Sequence, residues 1–344
     1  MRTVLSFDDV LLVPQYNEVE SRSDVNLDTH IGGLHMKIPI IASNMPSVCE
    51  GEMAIVMGYK GGLGIIHRMQ SIKDQAMQVA QSASYNVGGA IGIGDDWQVR
   101  TESILGAQGN VICLDVAHGH QEKVHDVALE FLDSYPDVPL IVGNYATAMG
   151  VDSFLYQVDK SDLSRITLKV GVGGGSVCTT RVRTGCGIPT FQSIMDIYEL
   201  TKIDYPEVSI LCDGGCRNSG DIVKALAAGA DAIMTGSLLA GTEESPGEVI
   251  KDDRTGRKYK VYRGAASYGA KKAYFGEADY VEGAERLIPY RGEVYEVVDH
   301  LLDGIRSGLT YCGVDNLHDL RKNADFVRVT SAGYNESLPH GLFE

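Results

Sequence analysis

The segment Ile166-Thr-Leu-Lys-Val-Gly-Val-Gly-Gly-Gly-Ser-Val-Cys-Thr-Thr-Arg181 joins an apolar run to a glycine-dense turn that ends in a thiol flanked by hydroxyls. A short apolar run that stops at glycine is typical of a buried strand in a parallel sheet. The turn presents Cys178 beside backbone N–H groups, hydroxyls and the charge of Arg181, all of which can stabilise a thiolate. We interpret Cys178 as a nucleophile; the alternative is a small buried hydrophobe.

Similar apolar runs recur along the chain and alternate with segments that have helical periodicity, such as residues 121–132 and 220–228. The eight runs are residues 38–42, 62–66, 90–93, 111–116, 140–142, 166–172, 208–212 and 232–234. Eight strand and helix units in this length predict an α/β protein with a closed (β/α)8 TIM barrel, rather than an open doubly wound sheet.

One catalytic domain is predicted for residues 1–344, because barrels of about 250 residues commonly fold as a single unit. Residues 251–293 are polar and rich in tyrosine, and we expect them to form an active-site flap; the alternative is a plain surface excursion. The closing segment is predicted as a strand over residues 325–330, followed by a C-terminal tail.

Charge and cysteine usage exclude several classes of partner. The net charge of −16 argues against binding to a nucleic acid polymer, which needs clustered lysine and arginine. No apolar run reaches the roughly 20 residues that cross a membrane, and no signal peptide is visible. The seven cysteines are spaced singly, as in proteins of a reducing compartment. We therefore expect a cytoplasmic protein that does not interact with membranes.

The active site of a TIM barrel lies at the C-terminal ends of its strands. Glycine, hydroxyl and carboxylate residues follow the predicted strands there, including Asp115, Asn144, the Cys178 turn, Asp213-Gly-Gly215 and Gly236-Ser237. The last two loops combine glycine with the start of a helix, which is a common phosphate-binding arrangement. A small phosphorylated ligand is therefore expected.

Six motifs spread over nearly the whole chain carry a family resemblance. They are Leu5-Ser-Phe-Asp-Asp-Val-Leu-Leu-Val-Pro14, Gly61-Gly-Leu-Gly-Ile-Ile-His67, Gly175-Ser-Val-Cys-Thr-Thr-Arg181, Asp213-Gly-Gly215, Gly220-Asp-Ile-Val-Lys-Ala-Leu-Ala-Ala-Gly-Ala-Asp231 and Gly236-Ser-Leu-Leu-Ala-Gly-Thr-Glu-Glu-Ser-Pro-Gly247. With these motifs the chain resembles the IMP dehydrogenase and GMP reductase family of purine nucleotide enzymes. The resemblance implies a TIM barrel, usually a homotetramer, that binds a purine monophosphate (GMP or IMP) beside a nicotinamide cofactor.

The resemblance also implies roles for individual residues. Cys178 would attack C2 of the purine and form a covalent thioimidate. The implied nucleotide contacts are Ser43, Met45, Ser176, Asp213, Gly215, Gly236, Ser237, Tyr262, Gly264 and Ala266. The implied cofactor contacts are Asp115, Asn144, Gly171 and Gly173. A potassium-type cation is implied on the carbonyls of Gly173, Gly175 and Cys178, with a neighbouring subunit's tail near Glu336.

Two reactions remain open within this family. Dehydrogenases oxidise IMP with NAD and hydrolyse the adduct with an arginine and tyrosine dyad on the flap, whereas reductases release ammonia from GMP and use NADPH. The flap reads Lys271-Lys-Ala-Tyr-Phe-Gly276, with alanine where the arginine is expected. Thr180 and Glu282 suit a reductase, since a carboxyl hydrogen-bonded to a hydroxyl can protonate a leaving amine. No regulatory insert interrupts the barrel between Val87 and Val111. We favour GMP reductase, with IMP dehydrogenase as the alternative.

Other features keep the alternatives open. Ala117-His-Gly-His120, residues 236–247 and residues 331–337 look like dehydrogenase sequence. The chain departs from both enzymes at Asn44-Met-Pro-Ser-Val48 and at Gly174, where proline is usual, so an altered purine or a catalytically silent nucleotide-binding homologue is also considered. A Rossmann fingerprint at Gly171-x-Gly173-x-x-Ser176 is not favoured, because it follows six strands and precedes a poor helix start.

Overall fold

Eight parallel strands close into a barrel in the computed structural model of the chain, which describes residues 1–265, 267–269, 272, 276 and 281–339. They are β1 (Ile40–Ala42), β2 (Leu63–Ile66), β3 (Val87–Ile91), β4 (Val111–Asp115), β5 (Leu140–Tyr145), β6 (Ile166–Val170), β7 (Ser209–Asp213) and β8 (Ala232–Thr235). Each strand pairs in parallel with the next, and β8 pairs with β1. The predicted (β/α)8 barrel is therefore confirmed, and each predicted run overlaps one strand.

Helices pack around the outside of the barrel. They are α1 (Gly51–Tyr59), α2 (Ile72–Gln81), α3 (Trp97–Gly106), α4 (Glu122–Ser134), α5 (Ala148–Leu155), α6 (Thr190–Asp204), α7 (Ser219–Ala227) and α8 (Val294–Tyr311). In α4 the buried residues Val124, Ala128 and Phe131 recur at helical spacing, which places one apolar face against the strands. Asn218 caps α7 by accepting a hydrogen bond from the backbone of Asp221. Within the described ranges, none of the helices is long and apolar enough to span a bilayer.

The inside of the barrel is filled by apolar side chains. The interior cluster contains Ile41, Leu63, Ile65, Ala90, Val111, Cys113, Ile141, Leu211, Ala232 and Met234, all of them fully buried. A hairpin of strands Thr29–Ile31 and Leu34–Met36 adds Ile31 and Met36 to the same cluster. Thr29 Oγ1 donates to Asp231 O before β8, and Gly32 N donates to Ser209 Oγ at the start of β7. The hairpin therefore closes the N-terminal end of the barrel, and the C-terminal end is left for a site.

Further strands and short helices lie outside the eight-stranded barrel. Strands Val10–Leu12 and Phe326–Arg328 pair with each other, and strands Ile250–Lys251, Lys258–Arg263 and Glu285–Pro289 form a sheet between β8 and α8. The short helices are Phe7–Asp9, Arg22–Asp24, Lys160–Arg165, Thr180–Thr184, Leu317–Asn323 and Ser331–Glu336. The predicted C-terminal strand is present. The predicted tail contains the helix Ser331–Glu336, which is too short to produce a periodic sequence signal.

The predicted flap is partly regular structure. Its described residues include the strands Lys258–Arg263 and Glu285–Pro289, whose register pairs Tyr262 with Arg286. Ala266, a predicted nucleotide contact, and Tyr274, the flap tyrosine at the position of the dehydrogenase dyad, lie outside the described residues. The sheet therefore supplies a fixed base from which the flap reaches the mouth of the barrel.

Candidate active site

A cavity of about 480 Å³ opens at the C-terminal mouth of the barrel. This volume lies within the range of about 300–1,000 Å³ that is usual for small-molecule sites. Apart from Glu336, which was expected from a neighbouring subunit, every predicted site residue that the structure describes lines it: Ser43, Met45, Asp115, Asn144, Gly171, Gly173, Gly175, Ser176, Cys178, Thr180, Asp213, Gly215, Gly236, Ser237, Tyr262, Gly264 and Glu282. The structure thus brings these residues together, while their individual roles stay predictions.

Cys178 lies in the loop between β6 and the short helix Thr180–Thr184, and its side chain is exposed. Its Sγ lies 3.1 Å from Thr180 Oγ1. That hydroxyl in turn donates to Glu282 Oε2 at 2.7 Å. Thiol, hydroxyl and carboxylate therefore form a continuous row, which can pass a proton to or from a group bonded at the sulfur.

The flap is held against the cysteine loop by backbone pairing. Ala284 N donates to Val177 O at 2.8 Å, and Thr179 N donates to Glu282 O at 2.9 Å. Gly283 lies opposite Cys178 in an antiparallel bridge. These bonds fix the Glu282 carboxylate beside a hydroxyl that is 102 residues away in the chain.

Arg181 fastens the cysteine loop. Its Nε donates to Val172 O at 3.0 Å and its Nη2 donates to Ile188 O at 2.6 Å, so the guanidinium joins both ends of the loop. A Cβ on Gly173 would lie 2.6 Å from Arg181 Cγ, which explains the glycine there. Burial lowers the pKa of Arg181, although the charge of Cys178 opposes this. Arg181 therefore shapes the loop, in addition to the charge that the sequence analysis assigned to it.

Glycines after β7 and β8 keep the other side of the cavity clear. Gly215 has a φ of 96°, a conformation that favours glycine. A Cβ on Gly236 would lie 2.8 Å from Met45 Sδ and 2.9 Å from Tyr262 Oη. Ser176 Oγ donates to Tyr262 Oη at 3.4 Å. Ser176, Gly215, Gly236 and Tyr262 therefore line one space, and the two glycines, which carry no Cβ, keep it open.

The structure adds Lys169, which the sequence analysis did not single out. This buried residue of β6 donates to Asp115 Oδ1 and Asn144 Oδ1, each at 2.8 Å, and to Asp213 Oδ2. Burial alone would lower the pKa of Lys169, but the charges of Asp115 and Asp213 outweigh it and raise the pKa. Burial would likewise raise the pKa of Asp115, but the Lys169 ammonium lowers it overall. The only signal in the sequence is a lysine within an apolar run.

The two departures from the family pattern have local partners. Asn44 Nδ2 donates to Asp115 Oδ2 at 2.9 Å, which joins the loop after β1 to the hydrogen-bonded group around Lys169. Ser47 Oγ donates to Arg263 O at 3.0 Å and so ties the same loop to the flap sheet. A Cβ at Gly174 would lie 2.4 Å from Thr190 Oγ1, so this backbone leaves no room for proline.

Three further histidine and cysteine side chains near the barrel are buried. His67 Nε2 lies 3.0 Å from Glu50 Oε1. Cys212 and Cys216 are free thiols whose sulfurs lie 3.9 Å apart. Among the described residues, no group of three or more histidine, cysteine, aspartate or glutamate side chains is placed to hold a metal ion.

Comparisons with known proteins agree with this geometry. The chain matches the family model described as IMP dehydrogenase / GMP reductase domain over residues 4–340. It is 31% identical to the inosine-5′-monophosphate dehydrogenase of Nitrosopumilus maritimus, covering 98% of each chain, and 32% identical to that of Borreliella burgdorferi, covering 99% of this chain and 98% of the relative. The first alignment extends over 477 positions, so that relative carries inserted segments.

A solved structure is similar over the full length. It is a GMP reductase from Trypanosoma brucei in complex with guanosine 5′-monophosphate, with a TM-score of 0.91 and 26% identity, covering 100% of this chain and 99% of that chain. The family match spans the barrel, the cysteine loop and the flap. This chain therefore belongs to the IMP dehydrogenase / GMP reductase family of NAD(P)-dependent purine nucleotide oxidoreductases.

Proposed function

We propose that this protein is a GMP reductase, which converts GMP to IMP and ammonia with NADPH. The observation that carries the proposal is the row formed by Cys178, Thr180 and Glu282, with spacings of 3.1 and 2.7 Å. A reductase must protonate the 2-amino group of guanine as it leaves, and a carboxyl relayed through a hydroxyl is suited to this. The GMP bound to the similar trypanosomal reductase gives further support.

The residues of the row act in sequence. The Cys178 thiol passes its proton through the Thr180 hydroxyl to the Glu282 carboxylate, and the resulting thiolate adds to C2 of the guanine and forms a carbon–sulfur bond. Glu282, now protonated, gives this proton back through the Thr180 hydroxyl to the 2-amino nitrogen. The bond from C2 to that nitrogen breaks, the electron pair leaves with ammonia, and a covalent thioimidate remains on Cys178. Asp115, Asn144, Gly171 and Gly173 would hold NADPH, which would supply a hydride to C2. Breakage of the carbon–sulfur bond would then release IMP and regenerate the Cys178 thiolate, which takes up a proton from solvent.

The cavity walls suit a purine monophosphate. We propose that the phosphate is held by Ser176, Gly215, Gly236, Ser237 and Tyr262, the ribose by Asp213, and the base by Ser43, Met45 and the main chain near Gly264. Glycine at these turns lets backbone N–H groups approach the phosphate oxygens. Ala266, the remaining predicted contact, lies outside the described residues.

The donor set also suits the cofactor and a cation. The Asn144 amide and the carbonyl of Gly171, joined by a 2.7 Å hydrogen bond, border the cavity together with Asp115 and Gly173. Amide, carbonyl and carboxylate groups can pair with the carboxamide of a nicotinamide. The carbonyls of Gly173, Gly175 and Cys178 are ligands of the type that binds potassium. A potassium ion there, a homotetramer and a cytoplasmic location are further proposals that rest on the family resemblance.

IMP dehydrogenase is the second candidate. It is favoured by relatives of that name at 31% and 32% identity. Against it stands alanine at position 273, where the water-activating dyad of a dehydrogenase needs arginine. NAD would then replace NADPH as the cofactor.

The test follows the absorbance of reduced nicotinamide in two cuvettes, one with GMP and NADPH and the other with IMP and NAD. We expect a fall in absorbance with release of ammonia in the first cuvette only. A rise in the second cuvette alone would establish the dehydrogenase. If neither cuvette responds although calorimetry detects GMP binding, the protein is a silent nucleotide-binding homologue.

A further inference from the structure

A hydrogen-bonded cluster crosses the mouth of the barrel beneath the candidate active site. Its members are Asn44 after β1, Asp115 of β4, Asn144 of β5, Lys169 of β6 and Asp213 of β7. We infer that Lys169 is a positioning residue that couples nucleotide binding on one side of the cavity to cofactor binding on the other. This inference rests on the proposed function, because the two sides are defined by its ligands.

The bonding of Lys169 leaves it no donor for a ligand. An ammonium group has three donors, and the three partners of Lys169 are Asp115, Asn144 and Asp213. Its side chain is 4% exposed, so water cannot replace a lost partner. Lys169 therefore acts through the groups that it holds rather than on the substrate.

Each partner is held in one orientation. Asp213, the proposed ribose ligand, receives Lys169 and the Asn144 amide on the same atom, Oδ2, which leaves Oδ1 for a ligand hydroxyl. Asn144 also donates to Gly171 O at 2.7 Å, and Asn44 donates to Asp115 Oδ2 at 2.9 Å. Asp213 on the nucleotide side and Asp115 and Asn144 on the cofactor side thus share one ammonium group, that of Lys169.

The shared Lys169 ammonium gives a physical route for coupling between nucleotide binding and cofactor binding. Two carboxylates in a poorly solvated site repel each other, and Lys169 offsets that repulsion. When a ribose hydroxyl bonds to Asp213, the hydrogen bond between this carboxylate and the Lys169 ammonium changes in strength. The electrostatic potential that Lys169 exerts at Asp115 then changes as well. Members of a buried polar network respond together, and the resulting coupling between two ligands is reciprocal.

The experiment measures the dissociation constant of GMP by calorimetry, with and without saturating NADP⁺, which cannot donate a hydride. The ratio of the two constants reports the coupling. We expect wild-type protein to give a ratio that differs from one by about fivefold or more. In Lys169→Met we expect GMP affinity to fall by about tenfold or more and the ratio to approach one, since bonds to charged groups are lost. Lys169→Arg, which keeps the charge and the donors, should restore most of the ratio.

Lys60→Met is the matched control. Lys60 is also largely buried, at 9% exposure, and is ion-paired to Asp299, but it lies at the far end of α1. The Lys60→Met variant should lower the midpoint of thermal unfolding without changing the ratio of the two GMP dissociation constants. If Lys169→Met does not fold, the double variant Lys169→Met with Asp115→Asn keeps the net charge of the cluster and should also give a ratio near one.

The outcomes separate the two proposals. Wild-type protein that binds neither GMP nor IMP would refute the proposed function. Wild-type protein that binds GMP with a ratio of one, or a Lys169→Met variant that retains the wild-type ratio, would overturn the positioning role while leaving the proposed function intact.

Discussion

Replacement of Glu282 by glutamine removes the transferable proton and keeps the shape of the side chain. Glu282 Oε2 accepts from the Thr180 hydroxyl at 2.7 Å, and an amide oxygen in its place can accept the same bond. General acid catalysis contributes about 10²- to 10⁴-fold, so we expect kcat for GMP to fall by that factor. At about 1.36 kcal/mol per tenfold, the barrier rises by about 2.7 to 5.4 kcal/mol. The KM for GMP should change by less than about threefold, since the lost interaction belongs to the transition state.

The assay combines NADPH oxidation at saturating GMP with calorimetric titration of GMP. Thr180→Val breaks the same row at its centre and should produce a loss of similar size, because the three groups act in series. Glu285→Gln is the matched control: this flap carboxylate accepts from Gly269 N at 2.7 Å and does not join the row. We expect it to retain wild-type kcat within about threefold.

Two results would contradict this reasoning. If Glu282→Gln keeps kcat within about threefold of wild type, Glu282 is not the general acid. If instead GMP affinity falls as much as kcat, the carboxylate binds the base in the ground state and does not transfer the proton.

Three other perturbations test the remaining parts of the site and fold. Cys178→Ala should abolish turnover and leave GMP binding measurable by calorimetry, whereas alanine at Cys186, the other exposed thiol, should be tolerated; turnover by the Cys178 variant would remove the covalent mechanism. Gly236→Ala places a Cβ within 3 Å of two neighbouring side chains and should raise the KM for GMP by about tenfold. An unchanged KM would show that this glycine is not needed to keep the nucleotide site open. Burial, followed by the charge of His120, lowers the pKa of the His125 imidazole from 6.5, so the unfolded chain takes up a proton before the folded one does. The free energy of unfolding should therefore fall as the pH drops below about 6.5, and thermal melts should show a smaller fall in His125→Phe.

The order and positions of the barrel strands are local properties of the chain. Parallel strands that are buried on both faces must be apolar throughout, so short runs such as residues 62–66 and 166–172 are visible without tertiary information. The apolar run at residues 90–93 predicts a later start for β3 than Val87, where the strand begins, because Gly88 and Gly89 resemble a turn. A Cβ on Gly88 would lie 2.6 Å from Val111 Cγ1, so glycine is required there by packing against the next strand.

The sequence alone also indicated the family and predicted Cys178 as the nucleophile, since both are carried by contiguous motifs around Cys178 and the glycine turns. The family resemblance had already paired Thr180 with Glu282, but only the tertiary structure showed how they meet, because that contact depends on the register of the flap and on backbone bonds between distant segments. The same holds for Lys169, whose lysine identity is evident but whose three partners lie on three other strands. Closure of the barrel brings those strand ends together, and no local pattern encodes which side chains then meet.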